Sequence, residues 1–225
     1  MVVSTNRPYF APFPGFFSKA RQSDALVLMD NVQFPRGTCW LNRNRFKNDQ
    51  GPLWLTVPVW KKGRGLQNID EVELCNEGRW QERHFKSLKT AYGNAPFLVD
   101  NLDFLKDIFS GNSRRLVTLN LKIINYLMGY LNIFTKIVLL SELGIKEKEP
   151  RLSVAVCEKL KATRYLAQAG AEKYLDLDMF HEAGIEVAFF KYRAPVYPQL
   201  WGTFISNLST FDLAFNCGPK SVEIL

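Results

Sequence analysis

Between Asp30 and Lys47 the chain reads DNVQFPRGTCWLNRNRFK, which gathers Asp30, Gln33, Arg36, Trp40, Asn42, Arg43, Asn44 and Lys47 into one short stretch. Arginine forks and asparagine amides offer planar donors suited to phosphate or carboxylate oxygens, and an indole can cover a sugar or a base. A polar surface loop has the same composition. A site is favoured because rim loops of a sheet are where binding residues concentrate. His84 and His181 are the only histidines, and histidine has the ordinary pKa nearest neutrality. His181, beside a helix end at Gly184, reads as a packing residue. Arg83 and Lys86 flank His84, and their charges favour a neutral imidazole able to accept a proton. Asp30 could orient a base or hold an amine, or serve only as a cap or turn residue. Cys39 lies between basic residues and Trp40, which favours thiolate, yet no nucleophile motif surrounds it. Tyr197 and Gln199 stand in VYPQ, a segment suited to fixing a loop path, with Gln199 able to bond a substrate.

Composition narrows what could bind there. With 225 residues, 47% hydrophobic and 23% charged, the chain is expected to fold as one domain over residues 1–225. Its 29 Lys and Arg against 22 Asp and Glu leave a formal charge of +7, which attracts anions. Basic residues interleave with aromatics at 36–47, 61–64 and 79–89, but no nucleic-acid recognition signature accompanies them. An anionic small molecule is therefore the expected partner, and nucleic acid is not. Cys39, Cys75, Cys157 and Cys217 form no CxxC pair or zinc spacing, so reduced thiols and no metal site are expected. The apolar run 116–140 is broken by Asn120, Lys122, Asn125, Asn132 and Lys136, too short for a membrane span. The first ten residues lack the pattern of a signal peptide, so a cytoplasmic location is expected.

The positioning elements alternate between strand and helix. Met1–Ser4 reads as a strand, Ala11–Gly15 as a turn, Phe16–Arg21 as a helix, and Ala25–Met29 as a buried parallel strand ending at Asp30. Strand-end loops of such a sheet share a rim, which would bring the Pro12–Gly15 turn toward Asp30, and Tyr9, Pro12 and Gly15 are candidate substrate contacts. Leu53–Val59, with Trp54, alternates as a strand that Pro58 puts at an edge or an end. Arg79–Tyr92 places Trp80, His84, Leu88 and Tyr92 on one helical stripe. Helices at Leu98–Phe109 and Arg114–Leu131, parted by Gly111, Asn112 and Ser113, complete a helical block over about 79–131. Alternation resumes with strands at Lys136–Leu140, Thr163–Ala167 and Ile185–Phe190 and helices at Pro150–Leu160 and Asp176–Glu182. The expected class is α/β, a mostly parallel sheet with flanking helices and a central helical block.

Several of these segments, in this order, resemble one family. PYFAPFPGFF, SD before an apolar strand, DNVQF, WLNRN and WLTVP are similar to the opening signature of the WbqC-like proteins. Trp80 with His84, Tyr92 with Ala95 and Pro96, Ser141–Leu143, Lys173–Asp176, Tyr197 with Gln199, and Leu208 through Pro219 extend the likeness over nearly the whole chain. One departure is Asn6–Arg7–Pro8 where the family start usually reads HQP, so Arg7 could add a cationic contact there. The resemblance implies a place in O-antigen or other surface-polysaccharide assembly. On that reading an acyl or aminoacyl group moves to the amine of a nucleotide-linked amino sugar, with acyl-CoA as the donor considered. His84 or Asp30 would take the amine proton, the Arg36–Lys47 loop would hold phosphates, and Trp40 or Trp54 would cover a ring. Two alternatives stand beside it. One is an ATP-dependent ligase or nucleotidyl-transfer enzyme, because the strand, PxPG turn and helix loosely resemble pantothenate-synthetase-type folds while lacking an HxGH-like signature. The other is a non-catalytic assembly protein.

Overall fold

The structure, a computed structural model, describes residues 1–111 and 113–225; Asn112 of the expected helix break lies outside the described residues. The first elements are β1 (Val2–Asn6), α1 (Pro14–Arg21), β2 (Ala25–Leu28), β3 (Arg43–Asn48) and β4 (Gly51–Thr56). Three helices follow, α2 (Trp80–Tyr92), α3 (Leu98–Phe109) and α4 (Leu116–Tyr130). Next come β5 (Lys136–Leu139), α5 (Leu140–Leu143), α6 (Arg151–Lys159), β6 (Arg164–Gln168), α7 (Leu177–Glu182) and β7 (Glu186–Phe190). Helices α8 (Thr210–Cys217) and α9 (Ser221–Ile224) end the chain. Two compact units divide these elements.

The first unit comprises Met1–Arg7, Gly15–Asn31 and Ile133–Arg193. Its five strands run parallel in the order β5-β2-β1-β6-β7. Strand β2 is buried at every position, as its unbroken ALVL run requires of a central strand covered on both faces. Helices α1, α5, α6 and α7 connect or flank the strands, so the α/β class read from the sequence is the class observed. Asp176 caps α7 by accepting from the backbone N–H groups of Asp178 and Met179. In α1, Lys19 is 1% exposed and donates its ammonium to the Thr5 carbonyl at 2.9 Å.

The second unit comprises Pro8–Pro14, Val32–Asn132 and Ala194–Leu225. Strands β3 and β4 form an antiparallel hairpin whose register runs from Arg43–Thr56 to Asn48–Gly51. The stretch Arg43–Lys47, expected as a polar rim loop, is therefore strand. Helix α8 is buried at Thr210 through Ala214, at Phe215 and at Cys217. Its aromatic rings lock to α2 through Tyr92 and Phe215, with ring centroids 5.0 Å apart. Gly218 ends α8 at φ 55°, where any Cβ would collide with the Phe97 ring, so only glycine fits. Among the described residues, no helix is long and apolar enough to cross a membrane.

Burial pulls the Lys19 ammonium down from 10.5 to about 8. A depressed lysine contributes stability that is complete above the unfolded value and is lost as pH falls through the folded one. The unfolding free energy is therefore expected to rise by roughly 2–3 kcal/mol between about pH 7 and about pH 10 relative to Lys19→Met, as urea titrations of both proteins would show.

Candidate functional site

Strand alternation sorts the NRNRFK segment by parity. Asn42, Asn44 and Phe46 are buried, whereas Arg43 and Arg45 are only partly covered. Trp54 is the cross-strand partner of Arg45. Trp40 stacks on Trp54 with centroids 5.7 Å apart and an interplanar angle of 28°. The Arg43 guanidinium lies 3.9 Å above the Trp54 ring, and Arg45 lies 5.9 Å from each indole. These rings are 45% and 41% exposed, a high figure for indoles, whose area is normally withdrawn from water. Nε of Arg43 and Nε of Arg45 are buried without a hydrogen-bond partner, a rare condition for a buried donor. Among the described residues neither arginine makes an ion pair, although Arg45 Nη2 reaches the carbonyls of Ser206 and Asn207 at 3.4 and 3.2 Å. The face thus presents two stacked rings and cationic forks to solvent.

Lys47 continues the outward row but is 2% exposed, because the segment Tyr197–Ser209 folds over it. Its Nζ donates to Gln199 Oε1 at 3.2 Å and to the Thr203 carbonyl at 2.7 Å. Its backbone N–H donates to the Tyr92 hydroxyl at 2.8 Å, which donates in turn to Asp212 Oδ2 at 2.7 Å. The Tyr197 hydroxyl donates to Asp212 Oδ1 at 2.9 Å. Gln199 closes the segment on itself through the N–H and carbonyl of Ile205. Asp212 is fully buried; burial pushes its carboxyl up, against the two phenol bonds and the Lys47 charge. Burial lowers Lys47, with Asp212 opposing, and raises both phenols, so each tyrosine remains a protonated donor. Lys47, Tyr197 and Gln199, expected as separate substrate contacts, therefore meet in one buried network. Tyr92 and Asp212 complete it without having been singled out for chemistry; the available signal was a lone carboxylate within the apolar helix TFDLAFNC.

The remaining expected residues fall in different places. Asn42 donates to the Val57 carbonyl, and Asn44 to the carbonyls of Phe10 and Ala11. Tyr9 is half-buried and Pro12 buried in the segment those bonds secure, with Ala11 held at φ 43°. Gln33 and Arg36 are exposed, Gln33 pairing with Asn68 in an isolated bridge. The Thr56 carbonyl can only accept, so His84 Nε2, 2.9 Å away, carries the hydrogen and donates it. Its ring packs edge-on to Trp80 and Phe109, and burial first, then Arg83, lowers its pKa against the Thr56 bond. Phe109 also lines a cavity of about 450 Å³ with Arg79, Phe85, Lys106 and Ser110. In the first unit, Gly15 is buried within α1 and Asp30 is 3% exposed. Both Asp30 oxygens accept from Ser141, from its N–H at 2.9 Å and its hydroxyl at 2.6 Å. Among the described residues no three His, Cys, Asp or Glu side chains could together hold a metal ion.

A parallel sheet wound with helices, together with a cationic, tryptophan-bearing hairpin set on helices, defines an α/β protein. Residues 7–224 match the WbqC-like protein family, and the chain belongs to that family. It is 31% identical over 226 residues to the uncharacterized protein Rv1507c of Mycobacterium tuberculosis (strain ATCC 25618 / H37Rv), across 100% of this chain and 96% of that protein. No solved structure matches.

Tyr92→Phe deletes the hydroxyl that joins Lys47 to Asp212. Urea denaturation near neutral pH is expected to show a loss of roughly 1.5–3 kcal/mol, the range for a hydrogen bond to a charged group.

Proposed function

We propose that this protein acts in the bacterial cytoplasm on a nucleotide-linked amino sugar, transferring an acyl or aminoacyl group to the sugar's amine during O-antigen or other surface-polysaccharide assembly. The observation that carries this reading is the stacked Trp40–Trp54 pair with Arg43 3.9 Å above Trp54 and unpartnered Nε donors on Arg43 and Arg45. Indole faces accept the C–H surface of a sugar ring, and guanidinium forks match phosphate oxygens. Because His84 donates Nε2–H to Thr56, its Nδ1 is the acceptor position of a ring that burial keeps neutral. In the proposed step the sugar amine attacks the acyl carbon of a thioester donor, the C–N bond forms and the C–S bond breaks. The amine proton passes to His84 Nδ1 and then to the departing thiolate. Asp30, the other base considered, already accepts two hydrogen bonds from Ser141, so His84 is preferred.

A second reading, ATP-dependent ligation or nucleotidyl transfer, is favoured by the strand order β5-β2-β1-β6-β7, in which β1 is central and the chain winds outward on both sides of it.

Arg43→Ala separates a binding role from a structural one. Calorimetric titration with UDP-glucosamine is expected to show binding weakened by roughly 1.5–3 kcal/mol, with the melting temperature unchanged. Unaltered affinity would remove the hairpin face from the site.

A further inference from the structure

The parallel sheet has a second place where ligand chemistry converges, within the first unit. In an open α/β sheet the connections diverge where winding reverses, leaving a crevice outside the carboxyl ends of two neighbouring strands, and ligands bind there. The reversal here falls between β1 and β6, the chain moving from β1 through β2 to β5 and then returning to β6 and β7. Strand β1 ends at Asn6, followed by the exposed Arg7. Strand β6 ends at Gln168, followed by Gly170 at φ 84°, a short 3-10 turn at Ala171–Lys173, and Tyr174, which is 56% exposed.

At these strands runs a chain of hydroxyls, Thr5 partly buried and Tyr165 and Ser153 buried, where a sheet core would ordinarily hold apolar side chains. Thr5 Oγ1 and the Tyr165 hydroxyl lie 2.7 Å apart, and Tyr165 is 3.2 Å from Ser153 Oγ. Ser153 Oγ donates to Glu149 Oε1 at 2.6 Å. Glu149 is half-buried, so the chain leads from the strand ends to a carboxylate that still reaches solvent. Burial first, then the Glu149 charge, raises the Tyr174 phenol, and the Arg7 charge opposes them.

We propose that the crevice between the carboxyl ends of β1 and β6 binds a nucleoside 5′-diphosphate moiety, with the base against the Tyr174 ring, the ribose hydroxyls donating to Glu149, and the diphosphate held by Arg7. The proposal does not rest on the hairpin face. Free ADP and ATP carry this moiety whole, and coenzyme A carries it with a 3′-phosphate that leaves the 2′-hydroxyl to donate, so a ligase and an acyltransferase would both present it, and separate titrations distinguish them.

The test is calorimetry on the full chain with ADP, ATP, coenzyme A and adenosine, alongside thermal melts. Saturable one-to-one binding of ADP is expected, with the tighter of ATP and coenzyme A naming the source. Tyr174→Ala, at an exposed position, is expected to keep the melting temperature, weaken ADP at least about tenfold, and be rescued by Tyr174→Phe, since only the ring is required. Arg7→Ala is expected to weaken ADP while leaving adenosine affinity as in wild type. The absence of saturable binding to any of ADP, ATP and coenzyme A overturns the proposal. So does wild-type ADP affinity in both Tyr174→Ala and Arg7→Ala. If ADP binding is lost only in Arg43→Ala, the crevice is excluded and the hairpin reading stands.

Discussion

A carboxylate removed wholly from water must be met by donors or neutralised, because its desolvation costs several kcal/mol. Asp212 sits under that constraint at 0% exposure, and the second unit is organised around answering it. Tyr92 and Tyr197 supply one hydroxyl to each oxygen, and Lys47 supplies a nearby positive charge. These groups come from α8, α2, the Tyr197–Ser209 segment and β3, so one buried charge ties together elements remote in sequence. The ties are directional. Tyr92 fixes β3 through the Lys47 N–H, and the Lys47 ammonium fixes the overlying segment through Gln199 and Thr203. Breaking one member leaves the rest buried and uncompensated, which destabilises the unit.

The outward geometry of Arg43 and Arg45 follows from that arrangement. Once β3 is held at Lys47, strand alternation turns Asn44 and Phe46 inward and both arginines to the other face. The inward asparagine is absorbed by architecture, its amide closing on the Phe10 and Ala11 carbonyls, and Asn120 closes on Pro8 and Leu41 in the same way. Arg45 divides its fork, one nitrogen holding the Ser206 and Asn207 carbonyls while Nε remains unpartnered beside Trp54. The division between supporting and presenting groups thus runs residue by residue along a single strand.

The first unit was legible because its strands carry their own signal: ALVL at β2 and the apolar centre of β6 lie between turn residues, as burial on both faces demands, and the edge strand β7 keeps the apolar run VAFF. Strand β3 was not, since its buried positions include Asn44 and Lys47, leaving Phe46 as the lone apolar residue of a periodic pattern. Asp212 was hidden for the converse reason. Periodicity identifies what is apolar on a face, whereas its role depends on two tyrosine hydroxyls and an ammonium contributed from distant segments. His84 was placed on its packed stripe by spacing alone, but its hydrogen-bond partner Thr56 is visible only in the folded chain.

Ligand binding at the Trp40–Trp54 face is directly observable, because the protein has only five tryptophans. The most direct measurement is a two-dimensional ¹⁵N NMR titration of the indole N–H signals with UDP-glucosamine. The Trp40 and Trp54 signals are expected to shift together and saturate on one isotherm, while that of Trp201, bonded to Ala91, stays in place. Saturable binding that leaves the Trp40 and Trp54 signals unmoved would contradict it.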